Sequence, residues 1–401
     1  MAVRLALLAL LASLVSAQQN ATELFKEVDQ MTSALSEITG WPVKRKVPAK
    51  IITKEQFRHQ VETRMKGSNH KEIHAEELTL KMFGFIPQDF NLEKETVDLV
   101  SEQAAAYYDY SKKRLFVLDS TSDASEQRVA LVHELAHALA DQQHPLGRYM
   151  SKDSPDDDAS SAREAVMEGQ ATWLTWAYVS KRNGGKGEVS QEMIRKLTDN
   201  ANGDDPEFPV FAKEPLYLRD TLVFPYDEGM KFQDAVYRKL GRGAFDQIFK
   251  RAPRSTQQIL HPEAYLEDNK PEDPVTPKLD KAREFRLLND GSVGEFDHSM
   301  LLRQYIGERE GRETAAGWRG GSFRLYEHKR DKYNVLTYAS DWASPDAARA
   351  FLVAYQRVMK GKWKTMTVTE STADHVYGRG DSGKFQLKIA GTGVTCIEGL
   401  R

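Results

Sequence analysis

Five consecutive residues carry the types and spacing for metal chemistry: His133, Glu134, Leu135, Ala136 and His137. On a helix of about 3.6 residues per turn, positions i and i+4 share a face, so the two imidazoles can converge on one ion. Zinc accepts nitrogen donors, and with three protein ligands it keeps an open position where the pKa of a water falls to about 7. Glu134 sits beside the pair, placed to take that proton as general base. The pattern is short, and a helix with two exposed histidines satisfies it equally. A third ligand and a frame that holds all three would separate the two readings.

The frame begins with the motif's own helix. Asp123 can cap its N-terminus, and Glu126 completes a capping box. Val129, Val132, Leu135, Ala136 and Leu139 form an apolar stripe, so the spacing predicts a helix over 123–143. Upstream, residues 104–110, the turn Ser111-Lys112-Lys113 and residues 114–118 read as a β-hairpin delivering the chain to that helix. A strand there can offer free backbone groups to an extended peptide. Downstream, an acidic loop at 153–158 precedes a helix over 159–181 that carries Glu164 and Glu168 on one face. Glu168 follows His137 by 168 − 137 = 31 residues, room for an antiparallel return, and is a candidate third ligand. Glu164 is the rival, because a rise of about 6 Å keeps the two carboxylates from binding one ion together. Asp141, one turn beyond His137, is either an orienting partner for a ligand imidazole or a surface charge. His144 reads as a loop residue.

With 401 residues, 40% hydrophobic and 29% charged, the chain is long enough to bury a core. Residues 1–17, with Arg4 ahead of an apolar run and Val15-Ser16-Ala17 at the end, read as a signal peptide cleaved after Ala17. The protein is therefore expected to be secreted or periplasmic. Losing Arg4 moves the net charge from −3 to −4, which implies no nucleic-acid partner, and no later stretch suits a membrane span. Cys396 is the only cysteine, so no internal disulfide can form, and buried packing is its expected role.

At this point the residues resemble a family. His133 to Gln143 (H-E-L-A-H-A-L-A-D-Q-Q), with Met167-Glu168-Gly169-Gln170-Ala171-Thr172, is similar to the gluzincins, zinc metallopeptidases with H-E-x-x-H on one helix and a ligand glutamate on the next. More narrowly it resembles an uncharacterised group of exported bacterial proteins with zincin-type domains. Phe224-Pro225-Tyr226 and the run from Ser255 to Pro262 also look similar to stretches there, so the resemblance covers about residues 100–270. It implies zinc held by His133, His137 and Glu168, with Tyr226 and His261 as candidates to stabilise the oxyanion of an attacked carbonyl. A core role for Tyr226, and a helix-end role for His261 beside a cap built from Ser255 and Gln258, are the plainer alternatives.

The expected class is α+β. An N-terminal helix and connector (18–47) precede a zincin-like, mainly helical metallopeptidase domain with a small β-hairpin or sheet (48–267). A linker (268–280) and a small α+β domain of unknown role (281–401) follow. Within 268–280, Pro, Asp, Glu and Lys dominate. Arg379-Gly380-Asp381-Ser382 reads as a hairpin turn. The phosphate-loop spacing over 378–384 lacks the following Ser or Thr and the helix it needs. The expected function is that of an exported zinc-dependent peptidase acting on peptide or protein substrates. The alternative is a non-catalytic, metal-stabilised binding or scaffold protein of the cell envelope.

Overall fold

The computed structural model describes residues 26–67, 70–119, 124–152, 156–199 and 208–401. The expected signal peptide and the Asp123 cap lie outside these residues. Residues 26–39 form helix α1, which buries Val28, Met31, Leu35 and Ile38 at helical spacing. Strand β1 (Ala49–Ile52) leads into α2 (Lys54–Gly67). That helix starts with a capping box: the Gln56 N–H donates to Thr53 Oγ1 at 3.2 Å, and the Thr53 N–H donates to Gln56 Oε1 at 3.1 Å. Next come α3 (His70–Phe83) and α4 (Leu92–Gln103), the latter capped by Asn91 Oδ1, which accepts from the Lys94 N–H at 2.9 Å.

The hairpin forms as β2 (Ala106–Asp109) and β3 (Arg114–Leu118) and runs into the motif helix α5 (Ala124–Gln143). Its sheet has the order β1-β3-β2, with β1 parallel and β2 antiparallel to the central β3. Strand β2 is therefore an edge. After α6 (Leu146–Ser151), the second motif helix α7 runs over Asp157–Arg182, starting two residues before the expected position because Asp156 caps it through the Ala159 N–H. Then follow α8 (Gln191–Asp199), α9 (Leu216–Leu240), α10 (Gly243–Lys250), α11 (Thr256–Leu260) and α12 (Pro262–Leu266). Ser255 precedes α11 without making a side-chain cap bond, so the cap expected there does not form.

The C-terminal region comprises β4 (Phe285–Ser292), α13 (Glu295–Ile306), α14 (Glu308–Ala315), β5 (Trp318–His328), β6 (Asn334–Trp342), α15 (Pro345–Lys362), β7 (Met366–Ser371), β8 (His375–Gly380), β9 (Gly383–Ala390) and β10 (Gly393–Leu400). Seven strands pair antiparallel in the order β4-β5-β6-β10-β9-β8-β7, so the class is α+β. Asp381 and Ser382 form the tight β8–β9 connection, where Asp381 accepts the N–H groups of Lys364 and Thr365.

The segment read as a linker does not separate two cores. Glu272 donates its N–H to Arg319 O at 2.7 Å and pairs with Gly320 beside β5. One continuous hydrophobic core runs from α1 to β10, and a small second cluster gathers Ile52, Phe57, Phe116 and Leu118. Phe83, at the end of α3, packs edge-on against Phe323 and Tyr338 of the large sheet, with ring centroids 5.7 Å away in each case. Among the described residues no helix is long and apolar enough to cross a membrane.

Candidate metal centre

Helices α5 and α7 pack together and aim three side chains at one point. Glu168 Oε2 lies 3.0 Å from His133 Nε2 and 3.2 Å from His137 Nε2, and the two nitrogens are 3.1 Å apart. Hydrogen bonds alone leave this triangle unsatisfied: each imidazole can turn an N–H toward the carboxylate, but then the two ring nitrogens face each other with nothing between them. Bonds of about 2.0–2.1 Å to a tetrahedral ion separate its ligands by about 3.3–3.4 Å, close to what is found. The donor set of two nitrogens and one carboxylate oxygen fits zinc. Among the described residues it is the one group of this kind with metal-binding spacing. Glu164, the rival, is exposed one turn away and outside the triangle.

Glu168 is held charged. Burial works to raise its pKa, but the charge of His137 and the hydrogen bonds from both rings outweigh burial, and the net shift is downward. Glu134 shifts the other way. Burial drives its carboxyl up to about 7; His133 opposes this, Glu168 adds to it, and the Tyr108 N–H opposes it. That N–H donates to Glu134 Oε2 at 2.6 Å from the free edge of β2.

The approach of Tyr226 depends on two glycines. Where α7 and α9 cross, a Cβ on Gly169 would lie 2.0 Å from the carbonyl carbon of Gly229, and one on Gly229 would lie 2.1 Å from Ala165 O. Only glycine at both positions allows this backbone contact. Tyr226, one turn before Gly229, then stands beside the triad, its ring 5.8 Å from that of His133. Glu168 raises the Tyr226 phenol well above its ordinary value, with burial, Glu134 and Glu164 adding to it. The hydroxyl therefore stays protonated and able to donate.

Other expected positions fall elsewhere. His261 is not at the triad: it lies in a separate cleft, where its Nε2 meets Glu295 Oε1 at 2.8 Å. Asp141 neither orients an imidazole nor sits on the surface. It is buried and accepts from the Tyr108 hydroxyl at 2.9 Å, from Lys113 Nζ at 2.7 Å and from the Leu146 N–H at 3.0 Å. In that position it ties α5 to the hairpin whose edge holds Glu134. His144 bonds Asp246 at 2.6 Å and stacks on Phe249. Two contributors were missed in the sequence, Tyr108 and Gly229. The available signal for Gly229 was an isolated glycine inside a helical pattern.

The triad opens into a cleft of ≈ 780 Å³ walled by β2, α5, α7 and α9. Its apolar wall includes Val129, Met167, Trp176 and Leu222, and no lysine or arginine lines it among the described residues.

Residues 284–401 match a family model described as a domain of unknown function (DUF8575), which begins at β4. Comparison of the chain with curated proteins and with solved structures returned no match.

Proposed function

We propose that this protein is a zinc-dependent peptidase with a zincin-type catalytic unit, in which His133, His137 and Glu168 hold the ion. The observation that carries the reading is the convergence of two imidazole nitrogens and one carboxylate oxygen within 3.0–3.2 Å, with Glu134 beside them in the same cleft. A bound zinc ion supplies Lewis acidity, acidifying water and polarising a carbonyl. Glu134 takes the proton from the attacking water and passes it to the leaving amine, and the Tyr108 N–H fixes the carboxylate that does so. The protonated Tyr226 hydroxyl donates to the oxygen on which negative charge develops. An extended peptide lies along β2. Because Tyr108 turns its N–H away from β3, Ala106, two residues earlier, turns its backbone groups the same way, toward the cleft.

Metal analysis of the purified chain, followed by incubation of the zinc-loaded protein with a mixed peptide library, tests this. About one zinc per chain and cleavage of the library are expected. Zinc binding with no cleavage favours the metal-stabilised scaffold, and absence of zinc at neutral pH removes both readings.

A further inference from the structure

Helix α9 is the shared wall of two clefts. Leu222 and Tyr226 face the triad, whereas Val223, Phe224 and Asp227 face a second cleft of ≈ 910 Å³ closed by α13 and α14. Most charges on the second cleft neutralise one another. Arg303 is paired with Asp220 and Glu308, Arg312 with Glu308, and Lys231 with Glu228.

Two carboxylates are left over. Glu295 is only 4% exposed, yet among the described residues a half-exposed histidine, His261, is its one ion-pair partner, and its second oxygen, Oε2, is buried without a donor. Asp227, on the same cleft, has no salt bridge among the described residues. Its neighbour one turn earlier, Phe224, stacks on Phe296 at 3.9 Å, and Phe296 follows Glu295, so the two acids border the same stretch of cleft. A buried carboxylate oxygen without a donor has lost its hydration with nothing in exchange, a deficit that a ligand bearing N–H groups removes.

We infer that this cleft binds an organic cation, an alkylammonium or guanidinium group of the kind a lysine or arginine side chain carries, with Glu295 and Asp227 as its anionic partners and the Phe224–Phe296 stack against its apolar stem. A directly coordinated metal does not suit the site, because the triad at His133 is the one described group with metal-ligand spacing. Burial raises the Asp227 carboxyl to about 7, with Lys231 opposing and Glu228 adding, which is the response of an acid short of positive charge. Arg219, on the same wall, keeps a buried Nε without an acceptor among the described residues, so an anion is the competing ligand.

Titration calorimetry on the full chain, with chelator present to keep the triad free of metal, tests the inference using agmatine, cadaverine and valerate as probes. Agmatine or cadaverine binds with a Kd of about 1 mM or tighter, and valerate does not. Glu295→Gln and Asp227→Asn each weaken cation binding at least about tenfold, as loss of a charge-assisted bond requires, while Glu370→Gln on β7 leaves it unchanged. Where Glu295→Gln lowers the melting temperature, Asp227→Asn decides. Failure of both cations to bind the folded wild-type chain overturns the site, as does unchanged binding in Asp227→Asn. Tighter binding of valerate reassigns the cleft to anions at Arg219.

Discussion

Buried charge is handled in opposite ways at two places in the molecule, an ion pair in the C-terminal region and the cleft at His133. In the C-terminal half, Lys362 and Glu398 are almost wholly buried and meet at 2.7 Å; the Tyr355 hydroxyl donates to the same carboxylate, and Lys362 also reaches Met82 O at the end of α3. Every charge has its partner on the spot, and the network pins the helical half to the sheet. In the cleft at His133 and His137, Glu134 and Glu168 stand together with no lysine or arginine in the described lining. Charge that joins two segments is neutralised from within. Charge that faces a cleft without a counter-ion creates a demand for a cation from outside, and two converging imidazoles decide which kind.

The largest test of that contrast is Glu134→Gln. It should retain zinc and lower kcat/KM by about 10²–10⁴, the usual worth of a general base. Equal loss of metal would mean that Glu134 serves the ion rather than the reaction. Glu168→Gln should instead lose the ion. At zinc about 100-fold above Kd, the wild-type chain gains about 2.7 kcal/mol of stability from binding, and this zinc-dependent rise in melting temperature should vanish in the variant.

Lys362→Met examines the other half. It leaves Glu398 buried without its cation and should lower unfolding stability in denaturant titrations by about 3–5 kcal/mol, with zinc affinity unchanged. Adding Glu398→Gln should recover part of that loss, which would show that the penalty comes from the stranded charge.

The smallest effect concerns pH. Burial lowers the His298 pKa to about 4; its Nδ1–H donates to Gly294 O, and its Nε2 faces the Tyr338 hydroxyl. The folded state thus holds fewer protons than the unfolded state, whose His has its ordinary value near 6.5. The stability tied to this ring is complete above about pH 6.5 and is lost as pH falls toward about 4. His298→Gln should flatten this part of the curve of melting temperature against pH. An unaltered slope would place the titration elsewhere.

Local patterns made most of the helical half legible. The reciprocal Thr53–Gln56 cap, the Asn91 cap and the stripe through Leu135 and Leu139 act over one or two turns, so neighbouring residues suffice to encode them. The large sheet is less legible. Strand β4 is an edge with little alternation, and β8 contains Gly378 and Gly380, which are weak strand formers, so neither announces itself. Nor does Pro225 end its helix: α9 runs through it, because packing against α7 outweighs the lost backbone bond.

For the candidate metal centre, the sequence by itself determined the two imidazoles and Glu134, since a fixed helical period places His133 and His137 on one face wherever that helix lies. It left Glu168 and Glu164 as rivals, and the family resemblance put His261 beside Tyr226 as an equal candidate. Tertiary structure made those choices. The Gly169–Gly229 crossing sets how closely α9 approaches and so brings Tyr226 to the triad, while the bond to Glu295 turns His261 into the other cleft. Such contacts join residues tens of positions apart, and no local pattern encodes the distance between two helix axes.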